Sequence, residues 1–357
     1  MMPRRNIRSD GHAIVTLPLG VQMTTMHLKT LLLLMALLML TALLSVWTGS
    51  TQASVDDWLR LPQSRSLPND ALHYAVVSVR LPRVLLACLA GWCVAVSGAM
   101  LQSIARNPLA DPGLLGLSQG AVTAVMALRV LLPTAPAWLT SLGGVLGGVG
   151  VALLLVVLVG RTRTNGLAIL LMGIAMESVL SSVAAVLLLY LPGDASVAMA
   201  EWMAGSLFQA NWASLSILLV LVALSLPALL LAGPSLAVQA LGTDMAMALG
   251  LEAARIRPAL LLLAVLMNTL AVAVVGPLTL LGVIAPQLAD FACRSSGSMR
   301  LILSGLMGSL LVLMADTVSR GLLADTALPV GLALTLVGVP LFVAAMRLQA
   351  WRKGRVS

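Results

Sequence analysis

The chain has 357 residues, of which 60% are hydrophobic and only 10% charged, whereas soluble domains are about 45 to 50% apolar and about 25% charged. This composition, with a mean hydropathy of +1.03, excludes a soluble enzyme, a disordered chain and a collagen-like or repeat-array protein. The net charge of +8 reports mainly on membrane topology, through the placement of Lys and Arg. Because a helix needs roughly 20 apolar residues to cross a bilayer, the length predicts an all-α polytopic membrane protein with about ten crossings.

Long charge-free stretches locate the crossings, because a charge at mid-bilayer costs about 2.5 to 3.5 kcal/mol on insertion scales. Residues 1–28 are predicted to be an unstructured cytoplasmic extension and 348–357 a cytoplasmic tail. The long apolar core at 31–47 favours a retained first helix over a cleaved signal peptide. The ten helices of the membrane domain, 29–347, are predicted near 29–47, 84–103, 114–132, 138–159, 167–191, 214–232, 258–275, 278–292, 301–316 and 330–347.

The distribution of basic residues orients these helices. An even number of crossings puts both termini on one side of the membrane. With the termini in the cytoplasm, most of the 21 Lys and Arg residues lie inside, as the positive-inside rule requires. The exceptions on the outside are Arg60, Arg65, Arg80, Arg83, Arg129 and Arg320.

Two Gly- and Pro-rich interruptions occupy matching positions, at 108–116 and 276–286. Each follows the first helix of a four-helix group, 84–191 or 258–347, and the groups enter the membrane from opposite sides. This is the arrangement of an inverted repeat. Irregular backbone survives at membrane depth only beside protein or water, so the pair indicates a translocation path. The alternative is that Gly and Pro are simply common in membrane helices.

The longest inward connection, 233–257, contains a short run of helix formers with Leu and Met between two glycines. Thr243 or Asp244 is the predicted N-cap of a short helix there. A surface helix that shows apolar side chains to the cytosol suits a groove in a partner protein. The alternative is an ordinary interfacial helix that only turns the chain.

Three arginines near helix ends, Arg80, Arg83 and Arg320, run against the positive-inside bias. A cationic outer rim can attract an anionic solute or hold the carboxylates of a docking protein. The alternative is that these long side chains only extend from helix ends toward water.

Acidic residues within the spans are few. Glu177 is placed well inside one, while Asp290 and Asp316 lie near helix ends. Glu177 is either part of a proton relay or a carboxylate that is hydrogen-bonded to Ser178, Ser181 or Ser182.

The sequence lacks a G-x-x-x-x-G-K-[ST] motif, a Ser/His/Asp set, a metal-binding box and paired catalytic carboxylates. Cys88, Cys93 and Cys293 occur without a C-x-x-C or Cys/His cluster, so they are predicted to be packing residues. We therefore expect a transport subunit without enzymatic activity, cofactor or metal. Its energy comes either from a separate subunit or from an ion gradient.

Several motifs together resemble one family, FecCD, the permease subunits of ATP-binding-cassette (ABC) importers for ferric siderophores, haem and cobalamin. The resemblance covers roughly residues 30–350. The motifs that carry it are Arg80-Leu81-Pro82-Arg83, the run at 97–112, Trp202-Met203-Ala204-Gly205-Ser206-Leu207, Leu249-Gly250, Leu328-Pro329-Val330-Gly331 and Gly338-Val339-Pro340.

The resemblance implies a type II importer fold in the bacterial inner membrane, with permeases paired as homo- or heterodimers. It also implies two cytoplasmic ATPases, which hydrolyse the ATP, and a periplasmic substrate-binding protein. Arg80, Arg83 and Arg320 would then dock the binding protein. The implied ATPase-coupling residues are Leu241, Gly242, Met245, Ala248, Leu249 and Gly250, and the implied gate residues are Thr164, Asn165, Gly166 and Leu167.

Ferric siderophore is the expected cargo, with cobalamin or haem as alternatives. An ion-coupled secondary transporter is the rival from another class. One departure from the family pattern concerns Gln287 and Asp290, which stand where the family usually has His and Arg. We expect this change to leave the fold intact and to alter the contacts that this element makes with its surroundings.

Overall fold

The computed structural model describes residues 5–7, 13–16, 22–48, 74–159, 166–240, 242–249, 253–322 and 328–354. Three short strands, β1 (Arg5–Ile7), β2 (Ala13–Thr16) and β3 (Gln22–Thr24), pair antiparallel in that order. A π-helical segment, Tyr74–Arg80, leads directly into α2. The helices are α1 (Thr25–Trp47), α2 (Leu81–Ala105), α3 (Leu117–Leu131), α4 (Ala137–Val159), α5 (Gly166–Leu188), α6 (Gly193–Met203), α7 (Trp212–Ala240), α8 (Thr243–Ala248), α9 (Ala253–Val275), α10 (Leu281–Ala292), α11 (Gly297–Leu322) and α12 (Val330–Gly354).

The all-α membrane architecture is confirmed. In the described part of the chain, eight helices are long and apolar enough to cross a membrane, and the shorter apolar helices α3 and α10 bring the set to the ten that were predicted. Helix α6 was not predicted, because it is only 11 residues long and contains two acidic residues.

Several boundaries differ from the sequence prediction. Helix α12 continues to Gly354 and so takes up most of the predicted tail, 348–357. Within the extension 1–28, which was predicted to be unstructured, the described residues form the three paired strands and the start of α1. Helix α7 continues to Ala240 instead of ending near 232, and α9 begins at Ala253 instead of 258. The extra turns of α7 pack against the start of α11, where a Cβ atom on Gly233 would overlap the side chain of Ser298.

Helices α2–α5 and α9–α12 correspond as two repeats. In both, a long first helix is followed by an interruption and then by a short second helix. The residue that precedes each short helix has a left-handed backbone, with φ of 72° at Gly116 and 62° at Leu280. The chain therefore turns in the same way at matching points of the two repeats, as the inverted-repeat prediction requires.

The two repeats interlock, because the first helix of each packs against the third helix of the other. Where α2 crosses α11, a Cβ atom on Gly91 would overlap the carbonyl of Gly308. Where α9 crosses α4, a Cβ atom on Gly148 would overlap the side chain of Thr269. Small residues let helix backbones approach this closely, which is the usual basis of helix association in membranes.

Helix α2 is the central helix of the bundle. In its most apolar window 78% of the residues are buried, whereas the corresponding share is 11% for α1 and for α5. Helices α1 and α5 therefore lie at the periphery, where lipid or another protein contacts them.

Candidate functional site

The first candidate site surrounds Asp316, near the end of α11. This carboxylate is fully buried, and Oδ1 accepts hydrogen bonds from Nε of Arg83 at 3.0 Å and from Nη2 of Arg83 at 2.7 Å. Arg320, one turn further along α11, donates from Nε to Oδ2 of Asp316 at 3.0 Å. Two of the three arginines that the resemblance assigns to docking thus share one internal carboxylate. We call Arg80, Arg83, Asp316 and Arg320 the arginine cluster.

The arginine cluster also holds the C-terminal end of α1. Arg80 donates from Nη1 to the carbonyl of Val46 at 2.9 Å, and Arg320 donates from Nη1 to the carbonyl of Thr48 at 3.0 Å. Nη2 of Arg320 also bonds the hydroxyl and the carbonyl of Ser45. The last carbonyls of a helix lack partners within the helix and carry partial negative charge, so guanidinium groups stabilise them.

Phe208 covers one face of Arg83, with the guanidinium carbon 4.8 Å from the ring centroid. The ring belongs to the connection between α6 and α7, directly after the Trp202–Leu207 motif. Sequence reasoning missed both Phe208 and the role of Asp316. The i, i+4 spacing of Asp316 and Arg320 on one helix was the sequence signal that could have indicated the role of Asp316.

The second candidate site is the short helix α8. Its predicted position is confirmed, but the N-cap position is Gly242, with φ of 111°, so the prediction of Thr243 or Asp244 as the N-cap is wrong. That φ value is open mainly to glycine. The side chains of Met245, Ala248 and Leu249 are exposed as predicted, and Met247, which the prediction omitted, is exposed as well.

Among the described side chains of α8, that of Ala246 packs the helix against the bundle. Ala246 is fully buried, whereas Met245, Met247 and Leu249 are 55%, 59% and 60% exposed. One face of α8 therefore packs on the bundle and the others show apolar groups to the surroundings. Leu241 and Gly250, two further predicted coupling residues, lie outside the described residues.

The two candidate sites lie at opposite ends of α2. Its 25 residues make the helix roughly 37 Å long at 1.5 Å per residue. Arg83 is in its first turn, and Arg106, its C-cap, lies beside α8: a Cβ atom on Gly242 would be 3.6 Å from Nη1 of Arg106. One central, buried helix therefore connects the arginine cluster to α8.

A second ionic network joins α2 to α11 near their other ends. Arg300 pairs with Asp290 of α10 at 3.1 Å and donates from Nη2 to Gln102 at 2.8 Å and from Nη1 to Ser103 at 2.8 Å. The acidic departure from the family pattern, Asp290, thus has a basic partner in α11. The other departure, Gln287, donates from Nε2 to the carbonyl of Pro108 at 2.9 Å.

The two Gly- and Pro-rich interruptions meet inside the bundle. A Cβ atom on Gly282 would overlap Oδ1 of Asp111, and Nε2 of Gln102 donates to the carbonyl of Gly282 at 3.1 Å. Asp111 is itself buried and accepts a hydrogen bond from the backbone N–H of Gly113 at 2.8 Å. Part of each interruption, around Asp111 and Gly282, is therefore buried against the other repeat.

Helix α5 carries Glu177, which is half-buried. The predicted bonds from Ser178 and Ser182 to this carboxylate are wrong, because their hydroxyls donate to the carbonyls of Ile174 and Ser178 at 2.9 Å. Ser178, Ser181 and Ser182 are all exposed on a helix that is long and apolar enough to span a membrane.

The predicted gate residues lie only partly within the described residues. Thr164 and Asn165 lie outside the described residues, whereas Gly166 begins α5 and Leu167 follows in its first turn. Cys93 and Cys293 are buried and Cys88 is half-buried, all as free thiols.

A membrane bundle of two interlocked inverted repeats, with a short exposed apolar helix at one end, defines a transport protein. The family model of the FecCD transport family matches residues 37–348. The chain therefore belongs to the FecCD family, and it is a transmembrane permease subunit.

Relatives in several bacteria match over most of their length. The Fe(3+)-citrate import system permease protein YfmE of Bacillus subtilis is 30% identical over 327 residues, which are 90% of this chain and 96% of the relative. The hemin transport system permease protein HmuU of Yersinia pestis is 36% identical over 285 residues, or 77% and 84%. The Fe(3+) dicitrate transport system permease protein FecD of Escherichia coli is 34% identical over 271 residues, or 76% and 84%.

The fold also matches a solved structure. An ABC transporter described as of metal-chelate type, in an inward-facing conformation, superposes with a TM-score of 0.76 at 26% identity. The match covers 90% of this chain and 99% of the other. The fold is therefore that of a type II ABC importer permease.

Proposed function

We propose that this permease forms the membrane path of an ATP-driven importer for ferric siderophores or related iron complexes. The observation that carries the proposal is the family match over residues 37–348, joined to relatives whose names specify ferric citrate. Cobalamin or haem as cargo is the alternative within this class. ATP hydrolysis belongs to a separate ATPase subunit, and both termini of the permease face the cytoplasm of the bacterial inner membrane.

The exposed serines of α5 support a second permease subunit. The serines are Ser178, Ser181 and Ser182, on a peripheral candidate span. A hydroxyl group that faces lipid finds no hydrogen-bond partner there except the backbone of its own helix. A polar strip of this kind suits a water-filled path between two permeases. We therefore place α5 beside the path, with a homo- or heterodimer enclosing it.

The exposed apolar side chains of α8 support the proposed ATPase contact. Met245, Met247 and Leu249 present flexible apolar groups around one buried anchor, Ala246. Side chains of this type fit a hydrophobic groove in a partner. Closure of the ATPases would move α8, and the close-packed helices of the two repeats would tilt as units, opening the path alternately to each side.

The arginine cluster supports docking of an acidic partner at the other end of α2. Arg83 and Arg320 share the single carboxylate of Asp316, so these three side chains together keep an excess of positive charge. Carboxylates of a periplasmic binding protein would complement that excess. The gate role of Thr164, Asn165, Gly166 and Leu167 remains a prediction.

Reconstitution tests the function directly. The permease, co-purified with its ATPase in proteoliposomes, is expected to import radioactive ferric siderophore only with ATP and a binding protein. Uptake by the permease alone, driven by a proton or sodium gradient, would instead establish the rival ion-coupled carrier. Import of cobalamin or haem but not of iron chelates would change the proposed cargo but not the proposed ATP-driven mechanism.

A further inference from the structure

Asp316 is the acidic member of the arginine cluster and is completely removed from solvent. An ionised carboxylate is stable in such a place only when it is paired and hydrogen-bonded. Arg83 and Arg320 supply those bonds, and in return the carboxylate offsets the repulsion between two guanidinium groups that lie side by side. The two arginines and Asp316 are therefore one unit.

The bonds to Asp316 also fix the direction of Arg83. Its Nε and Nη2 point to the carboxylate, and the ring of Phe208 covers one face. Nη1 forms no hydrogen bond with any residue of the described ranges. Since the guanidinium group is planar and rigid, fixing one edge fixes where the remaining donors point.

We propose that Asp316 is a positioning residue of the docking surface, which orients Nη1 of Arg83 toward a carboxylate of the periplasmic binding protein. This inference rests on the docking role proposed above for the arginines. Asp316 does not reach the partner itself, because it is fully buried. It acts through Arg83, and through Arg320, which it holds next to Arg83.

The experiment measures docking of a fluorescent binding protein from the same transport system to the permease–ATPase complex in lipid nanodiscs. Asp316→Asn keeps an oxygen acceptor but removes the charge, and Arg83→Ala removes the oriented group. We expect each variant to weaken docking about tenfold or more, and the double variant to be little weaker than Arg83→Ala, because residues that act through one another are not additive.

Two results would overturn the inference, and they are distinguishable. If Arg83→Ala weakens docking while folded Asp316→Asn docks normally, the arginine docks the partner without help from Asp316. If Arg83→Ala itself docks normally, the docking role fails and the inference fails with it.

A second variant covers the case in which Asp316→Asn does not fold. Arg83→Lys retains the charge, but a single ammonium group cannot hold Asp316 along one edge and present an oriented donor along another. Docking by Arg83→Lys is expected to fall about tenfold, toward that of Arg83→Ala. Docking close to wild type would show that charge alone suffices, and Asp316 would then have no positioning role.

Discussion

Gly91 and Gly308 meet backbone to backbone where α2 crosses α11, so closely that a Cβ atom on either glycine would overlap the other's carbonyl. Beside this crossing, Ser309 donates a hydrogen bond to the carbonyl of Cys88 at 2.6 Å. Arg83–Asp316 and Arg300–Gln102 join the same two helices toward their opposite ends. Helices α2 and α11 are thus fastened at three levels and are suited to move as one body.

Replacement of Gly308 by Leu is expected to destabilise the protein strongly. The added side chain cannot be accommodated against the backbone of α2, and overpacking of a tight core costs about 1 to 3 kcal/mol or more. Thermal unfolding of the purified permease in detergent measures the effect. Gly150→Leu is the matched control, since no atom of the described residues lies within 4 Å of a Cβ atom there. Equal losses in both variants would contradict the close contact.

Arg300→Ala is expected to destabilise the permease more than Asp290→Ala. Arg300 donates to Asp290, Gln102, Ser103 and the carbonyl of Ala99. Arg300→Ala removes all of these bonds, whereas Asp290→Ala removes only the bond between Arg300 and Asp290. Both side chains of the ion pair are partly exposed, at 17% and 28%, so the pair alone contributes at most about 1 kcal/mol. Comparison of the two melting temperatures checks the order, and a larger loss for Asp290→Ala would reverse it.

Met247→Asp and Leu249→Asp are expected to uncouple ATP hydrolysis from transport. Each places a charge in the apolar surface of α8 that is proposed to enter the ATPase groove, and desolvation of an unpaired charge costs several kcal/mol. The readout is the ratio of substrate imported to ATP hydrolysed in proteoliposomes. Met247→Leu, which keeps the surface apolar, serves as the control. Normal coupling in both Asp variants would remove α8 from the ATPase contact.

Arg320→Met is expected to loosen the C-terminal end of α1. The substitution removes the bonds to Ser45, Thr48 and Asp316, and hydrogen bonds to charged groups contribute about 1.5 to 3 kcal/mol each. Hydrogen exchange of the backbone amides in the last turn of α1, followed by mass spectrometry in nanodiscs, should therefore accelerate at least about tenfold. Thr41→Ala is the comparison variant, because the bond that Thr41 makes within the described ranges goes to Leu37 of its own helix. Unchanged exchange in Arg320→Met would mean that α1 is held by other contacts.

The hydropathy of the chain was enough to predict the all-α class and the ten apolar helices, because the bilayer requires long apolar segments whatever their packing. The matching Gly- and Pro-rich interruptions were enough to predict the repeat. The same reasoning located α8 from its glycines and helix formers. Helix ends were less predictable: α7 continues to Ala240, where its Gly233 packs against Ser298 of α11, a contact with no local signal in the sequence.

The sequence by itself determined that this protein is an inverted-repeat membrane permease, and it marked Arg80, Arg83 and Arg320 by their side of the membrane. Only the tertiary structure decided what surrounds them. Asp316 lies 233 residues from Arg83 along the chain, and their pairing depends on the glycine-lined crossing of α2 and α11. Periodicity and charge act locally along the chain, whereas a buried ion pair is set by which helices touch and how closely.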